Sequence, residues 1–561
     1  MLGLMQRREL MISSILQHAA RHHGTAEIVS RREDGTIVRT NYAAIWNRSR
    51  RLAAALQKLG VRPGDRVATL AMNSDRHLEL YYAITGIGAV CNTINPRLSP
   101  DDVAWIAAHA EDCLIFVDSP FVPIVHRAAP LLHGFLRGVV VLTPGRAINP
   151  GLPPNVRMYG YEHLLADSPD PIDFPAFDEN TAAILCYTSG TTGRPKGVLY
   201  SHRSTVLHSM AMNFADTVGL RAMDRVLPAV PMFHVNGWGF PFTAPMAGAA
   251  LIYPGRHLDP PALLHLLNTE RATVSAGVPT VWITLFNHLR ETGAKFDTLK
   301  RILSGGSAFP RALMAEYERL GVHVTHAWGM TESSPLATVN APKPHTLTLD
   351  PEAQLDEQAT QGRPVFGVEV RAEDLHQREA PWDGQTQGNL KFRGHWVASQ
   401  YYRLPDTGVG SEGWFPTGDV GVIDPEGFIR LTDRTKDLIK SGGEWISSIA
   451  LENIAIAHPD VAEAAAIAVF DEQWGERPLV LVVPRAGCHP TQEALREFYE
   501  GKVPKWSIPD RVEVVESLPH GATGKILKTE LRRRYGGRSG AGIVRAGLPG
   551  QMPALARYRF T

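Results

Sequence analysis

The sequence predicts an α/β protein. It has a large N-terminal domain of layered sheets and helices, divided into several subdomains, and a small α+β C-terminal domain. Three observations carry this. The chain has 561 residues, more than one hydrophobic core serves. Short apolar runs alternate with segments of helical periodicity, the pattern of mostly parallel sheets covered by helices. Composition then changes near residue 373, and a fresh alternation begins after Arg434.

The elements follow in order. Residues 10–60 read as a helix, a strand pair around Ile28 to Val38, and a second helix over Tyr42 to Leu56, where apolar residues recur at helical spacing. Gly60 closes that helix, and Pro63-Gly64-Asp65 turns into the strand Val67 to Leu70. Further strands are expected at Leu114–Val117, Val139–Leu142, Ala182–Cys186, Leu199–Tyr200, Val226–Leu227 and Ala272–Ser275. Glu373 to Asn389 is polar and loop-like, and 388–435 reads as short strands and turns. Beyond the boundary come a helix (Ser448–Ala457), two strands (Val461–Val469, Pro478–Val483), a helix (Gln492–Lys502) and a strand (Val512–Val515). The domains are therefore 1–433 and 434–536, with 537–561, rich in Gly, Arg, Ala and Pro, as a flexible tail.

Composition excludes several classes. The formal net charge is zero, which leaves no general basic face for nucleic acid. Hydrophobic residues make up 44% and charged residues 20%, as in an ordinary soluble protein. The four cysteines, Cys91, Cys113, Cys186 and Cys488, are scattered without a C-x-x-C pair, which argues against structural zinc or a disulfide framework and for a reducing, cytoplasmic compartment. No apolar run approaches the ~20 residues that cross a bilayer, and Met1 to Arg21 lacks a signal-peptide core.

Tyr187-Thr188-Ser189-Gly190-Thr191-Thr192-Gly193-Arg194-Pro195-Lys196-Gly197-Val198 lies between two candidate strands. Its backbone N–H groups and hydroxyls converge near one lysine, as a triphosphate requires. It is not a Walker A loop, because Pro195 before Lys196 and Gly197 after it oppose a helix start. Six clusters follow downstream. Pro231-Met232-Phe233-His234-Val235-Asn236-Gly237-Trp238, alone, reads as a buried aromatic turn. Ser304-Gly305-Gly306-Ser307-Ala308 allows close backbone approach to a flat ligand. His326-Ala327-Trp328-Gly329-Met330-Thr331-Glu332 ends in a lone carboxylate, and Mg²⁺ binds through one or two carboxylates plus phosphate oxygens. Trp414 to Asp419 places a two-oxygen acceptor suited to a vicinal diol. Asp433 to Ile446 is dense in charge and glycine, and Leu518 to Lys525 puts a lysine on a late loop.

In this order the motifs resemble those of the adenylate-forming superfamily of acyl-CoA synthetases, luciferase and peptide-synthetase adenylation domains. The resemblance runs from about residue 10 to about 535 and is nearest to bacterial medium- to long-chain fatty acyl-CoA synthetases. It implies that Thr188, Ser189, Gly190, Thr191, Thr192 and Lys196 hold the ATP phosphates, with Thr188 and Glu332 at the Mg²⁺. Gly306, His326, Ala327, Trp328, Gly329, Met330 and Thr331 would surround the adenine and α-phosphate, Asp419 the ribose, and Arg434, Lys436 and Trp445 the nucleotide. Where relatives usually carry tyrosine this chain has Trp328, and either ring could cover the purine. His234, Val235, Trp238, Gly305 and Gly306 would line the acyl site, with Trp238 as a water-excluding gate. Ser441, Gly442 and Gly443 would line the CoA channel. Lys525, His234 and Lys440 would be catalytic, and Lys436 would be the hinge of a mobile C-terminal domain. Related synthetases are often homodimers.

The implied reaction activates a medium- or long-chain carboxylic acid as acyl-AMP, releases pyrophosphate, and passes the acyl group to CoA. A short-chain or methylmercaptopropionate-type acid is the alternative substrate. Delivery to a carrier protein, luciferase-like oxidation, a nucleotide sensor without turnover and a phosphotransferase are the rival activities. One site serves both half-reactions only if Lys525 leaves as the CoA channel arrives. Lys525→Ala is therefore expected to abolish acyl-AMP formation and leave thioester formation from supplied acyl-AMP largely intact. Equal loss of both rates in single-turnover assays would refute the rotation.

Overall fold

The computed structural model describes the chain except residues 2, 133, 143–151, 189–193, 375–376, 405–408, 435, 442–443, 522–525 and 537–561, and the side chains of Glu444 and Trp445. Ser189, Gly190, Thr191, Thr192, Gly442, Gly443, Lys525, the Trp445 side chain and the tail thus lie outside the described residues.

Four sheets form. The seven-stranded sheet runs Arg157–Gly160, Gly138–Val141, Asp112–Val117, Arg66–Leu70, Val90–Thr93, Ala182–Thr188 and Lys196–Ser201. It is parallel until its last pair, where Thr188 faces Lys196 across an antiparallel hairpin. Lys196 opens a strand, as Pro195 and Gly197 require. The nine-stranded sheet has a parallel centre that includes Arg225–Pro228, Val274–Gly277, Arg301–Ser304 and His323–Gly329. Antiparallel strands flank it at both edges.

One core joins the faces of these two sheets through the helices Ile12–His22, Tyr42–Lys58 and Asp75–Gly86. Asp75–Gly86 is buried along its whole length. Its polar residues survive there because each has a partner. Arg32 pairs with Asp75, the His77 ring meets Thr69 Oγ1 at 2.9 Å, and Arg48 Nε lies 2.7 Å from Glu79 Oε1. Burial still pushes the Glu79 carboxyl up to about 7 against the pull of Arg48.

The expectation of mostly parallel sheets, drawn from the N-terminal alternation, holds for these two; the other two sheets come from the stretch read as short strands and turns and from the α+β C-terminal domain. The third sheet, Val368–Glu373, Gly388–Gly394, Phe415–Ile423 and Ile429–Arg434, is antiparallel throughout. The last sheet joins Glu444–Ile446, Ile439–Ser441, Gly475–Pro484 and Val461–Asp471 antiparallel, with only Arg511–Val514 added parallel. Hairpins need only short turns, so among the described residues no helix separates the strands of the third sheet, whereas in the last sheet the helix Gln492–Glu497 lies between Gly475–Pro484 and its parallel neighbour Arg511–Val514. The helix expected over Gln492–Lys502 stops at Glu497.

The last sheet has hydrophobic clusters of its own on both faces. The rest of the chain meets it at Ser447 and Ser448: the Ser447 hydroxyl donates to the Thr432 carbonyl and the Ser448 N–H to the Asp433 carboxylate. Arg485 Nη1 also reaches Asn287 Oδ1 at 2.9 Å. The helix Lys528–Tyr535, which follows Lys525 in the chain, is tied down by a mostly buried ion pair. Lys528 Nζ lies 2.7 Å from Glu452 Oε1 and donates to Ser448 Oγ at 2.6 Å. Removing one partner strands the other charge. Lys528→Met is expected to cost on the order of 3 kcal/mol of unfolding free energy. Glu452→Gln added to it should restore most of the loss, and urea titration of the two variants checks both.

Candidate active site

The loop flanks and the two carboxylate motifs converge. Lys196, exposed at the start of its strand, holds Nζ 4.7 Å from the centre of the Tyr401 ring. The Tyr402 N–H donates to the Gly197 carbonyl at 2.8 Å, which brings Tyr401 alongside. Tyr401 Oη in turn donates to Glu332 Oε1 at 2.6 Å, and Tyr200 Oη donates to the Thr331 carbonyl at 2.6 Å. Glu332 is 4% exposed. Burial raises its carboxyl pKa, while the Tyr401 phenol and the charges of Arg434 and Lys196 pull it back.

A buried carboxylate with one oxygen taken by a phenol and cations close by fits a divalent ion that completes its shell with phosphate oxygens and water. Among the described residues no group of three or more His, Cys, Asp or Glu forms an all-protein metal cage. The residues therefore fit Mg²⁺ arriving with a nucleotide. Thr188, half-buried, sits one strand away across from Lys196.

Asp419 lies on Phe415–Ile423, paired with Arg434 on the next strand. Arg434 Nε is 3.2 Å from Asp419 Oδ1, and Trp328 Nε1 donates to Asp419 Oδ2 at 2.8 Å. The Asp419 N–H donates to Thr417 Oγ1 at 3.0 Å. Trp328 ends the strand His323–Gly329 beside Gly329, where a Cβ would fall 1.6 Å from the Pro335 carbonyl oxygen, so only glycine fits. Met330 is half-buried and gives its N–H to Ser333 Oγ. The buried His326 ring turns away to the Ala359 carbonyl at 3.0 Å.

The aromatic cluster reaches this site from the other side. Val235, Asn236, Gly237, Trp238 and Gly239 have φ of 46°, 55°, 60°, 53° and 80°, one turn of left-handed helix. For Val235 and Trp238 this is strained backbone, costing about 1–2 kcal/mol each. The surroundings hold it. Asn73 Oδ1 accepts from the Met232 N–H at 2.7 Å, and Asn73 Nδ2 donates to the Pro228 and Val230 carbonyls. The Cys186 thiol donates to Asn236 Oδ1 at 3.2 Å. His234, half-buried, heads the turn, and Trp238 is 8% exposed within it. Gly306, next to Gly305, has φ of 84°. A Cβ on Gly305 would lie 2.8 Å from the Ala327 carbonyl oxygen and 3.7 Å from the Trp238 ring. Gly305 is thus where the aromatic turn meets the strand that carries Trp328.

Lys440 and Lys436 are exposed on the C-terminal side, and burial of its surroundings lowers the Lys436 ammonium pKa against the pull of Asp437. The Lys440 N–H binds Glu476, and Ser441 Oγ accepts from Arg477 Nη1 at 3.0 Å. Sequence reasoning missed Tyr401, Asn73 and the Trp328–Asp419 bond. Only the paired tyrosines Tyr401 and Tyr402 in a polar stretch gave a signal.

A family model described as AMP-binding enzyme matches residues 16–402, and one described as AMP-binding enzyme C-terminal domain matches 450–525. The chain is 48% identical over 536 residues to a 3-methylmercaptopropionyl-CoA ligase of Ruegeria lacuscaerulensis, covering 95% of this chain and 99% of the relative. It is 46% identical over 540 residues to a medium-chain-fatty-acid–CoA ligase of Ectopseudomonas oleovorans, covering 96% and 98%. A crystal structure of an anthranilate CoA ligase in complex with anthranoyl-AMP superposes with a TM-score of 0.82 at 23% identity over 95% of this chain and 98% of that one, a likeness of fold.

Gly305→Ala would force its methyl against backbone. We expect it to lower unfolding free energy by about 1–3 kcal/mol, as overpacking does. An unchanged denaturation midpoint would mean that the two strands part freely there.

Proposed function

The chain belongs to the AMP-binding enzyme family, and on that premise we propose that it joins a medium- or long-chain fatty acid to CoA. It is an AMP-forming acid–CoA ligase that uses ATP, Mg²⁺ and CoA. One observation carries the assignment of residues: Lys196, Glu332, Asp419 and Arg434 form one contiguous cluster, with the charges of Lys196 and Arg434 felt at Glu332. The acyl class rests on the buried, apolar turn of Val235 and Trp238 against Gly305.

In this reading the acid enters past Trp238 as its carboxylate. It is ionised near neutral pH and needs no base. The obstacle is repulsion between that carboxylate and the α-phosphate of ATP. Lys196, Arg434 and Lys525 supply positive charge where negative charge gathers, and Thr188, Ser189, Thr191 and Thr192 orient the phosphates. Mg²⁺, held by Glu332 with Thr188, would neutralise phosphate charge. Asp419 holds the ribose, and Gly306 with the run His326 to Thr331 surrounds the adenine and α-phosphate. In the second half-reaction the CoA thiol, with a pKa of about 8.5, must lose a proton, and His234 at the acyl carboxylate is the base. Lys440, Ser441, Gly442 and Gly443 border the thiol's channel.

Residues 1–433 and 434–536 act as two domains that swivel about Lys436. The contacts at Ser447, Ser448 and Arg485 support that reading, since a swivel must break few bonds. The cytoplasm is the proposed compartment and a homodimer the proposed assembly. Free cysteines support the first, and the resemblance to dimeric synthetases supports the second. Among the described residues no helix is long and apolar enough to cross a membrane.

Similarity to a 3-methylmercaptopropionyl-CoA ligase favours a second reading, a short sulfur-bearing acid. A panel of carboxylates from short to long chain, with 3-methylmercaptopropionate included, separates the two. We expect AMP release that depends on CoA and peaks with medium or long chains, and a flatter chain-length profile for Trp238→Ala. A peak at 3-methylmercaptopropionate would install the second reading, and failure of pyrophosphate to exchange into ATP with every acid would remove both.

A further inference from the structure

We infer that Trp328 is a positioning residue that sets recognition of the nucleotide's sugar: its indole N–H fixes the Asp419 carboxylate in the orientation that receives a ribose diol. The inference rests on the reading of Asp419 as the ribose acceptor.

The bookkeeping of lone pairs carries the argument. An ionised carboxylate offers about four acceptor sites, two on each oxygen. Trp328 Nε1 takes one on Oδ2 at 2.8 Å, and Arg434 Nε faces Oδ1 at 3.2 Å. Among the described residues one site on each oxygen remains, which matches two adjacent hydroxyl donors. Indole only donates, so Trp328 cannot compete with Asp419 for a hydroxyl proton. A phenol both donates and accepts, and it could.

Trp328 also opposes Arg434. A guanidinium prefers to bind both oxygens of a carboxylate side by side. The Arg434 side chain is 44% exposed and free to adjust, while that of Asp419 is 8% exposed. Without the indole on Oδ2, Arg434 is left to claim both oxygens and remove the sites that the diol needs.

The indole itself is held. Its ring lies 5.9 Å from Phe392, Phe392 stacks on Phe415 at 5.7 Å, and Phe415 meets Tyr401 edge-on at 5.9 Å. Tyr401 ends the row by donating to Glu332. Four rings thus carry a donor at each end, one for each carboxylate of the site, and Trp328 is 7% exposed within the row. A buried indole N–H needs an acceptor, and Asp419 supplies it.

The test replaces Trp328 by β-(3-benzothienyl)alanine, which keeps the ring shape and lacks the donor, with Trp328→Phe as the genetically encoded counterpart. Isothermal titration calorimetry, with Mg²⁺ and without an acid so that no turnover occurs, gives Kd for ATP, 2′-deoxy-ATP and 3′-deoxy-ATP. The wild type should favour ATP over both deoxy nucleotides. The isostere should reduce that preference about tenfold, the size of one hydrogen bond to a charged group. In an Asp419→Ala background the isostere should change the preference less than twofold, because the two residues act as one unit. If the isostere weakens all three nucleotides by the same factor, or none, Trp328 is only packing and the inference is overturned. If Asp419→Ala leaves the preference for ATP intact, the ribose reading of Asp419 itself falls.

Discussion

A carboxylate sealed from water must find donors, and this requirement organises the centre of the molecule. Glu332 and Asp419 are both nearly buried, and each is met by an aromatic donor, Tyr401 for the first and Trp328 for the second. Neither aromatic brings a charge, and each donates to only one oxygen of its carboxylate. The cations that answer the carboxylates, Lys196 and Arg434, lie at the exposed side. On the proposed reading, a Mg²⁺-bound nucleotide brings hydroxyl donors to Asp419 and a cation to Glu332.

The apolar side of the site obeys a different constraint. Five successive residues are held left-handed, which L-residues other than glycine and asparagine resist. The strain persists because Asn73 clamps the entering chain at three backbone groups and Cys186 grips Asn236. Cys186 lies two residues before Thr188 on the strand Ala182–Thr188. Packing therefore joins the turn that carries Trp238 to the strand Ala182–Thr188, with Gly305 as the second point of contact.

The C-terminal part follows a third logic. It folds around its own clusters, and its mostly buried Lys528–Glu452 pair fixes the helix that follows Lys525 in the chain. Clusters of its own are what the proposed gating movement would need, since a domain that moves must keep its own structure.

How much of this was legible varies with distance along the chain. The hairpin of Thr188 and Lys196 was readable because proline before a lysine and glycine after it forbid a helix start within a few residues. Strand positions such as Asp112–Val117 were readable from short apolar runs. The buried helix Asp75–Gly86 was not, since its Asp, Arg, His and Glu look solvent-facing until partners on other segments neutralise them. By itself the sequence determined the chemistry available: which residues can bind phosphate, metal or sugar, and in what order they come. Only the tertiary structure decided which donor meets which acceptor. Trp328 and Asp419 are 91 positions apart, Tyr401 and Glu332 are 69, and no local pattern encodes a hydrogen bond that exists only once separate sheets have packed.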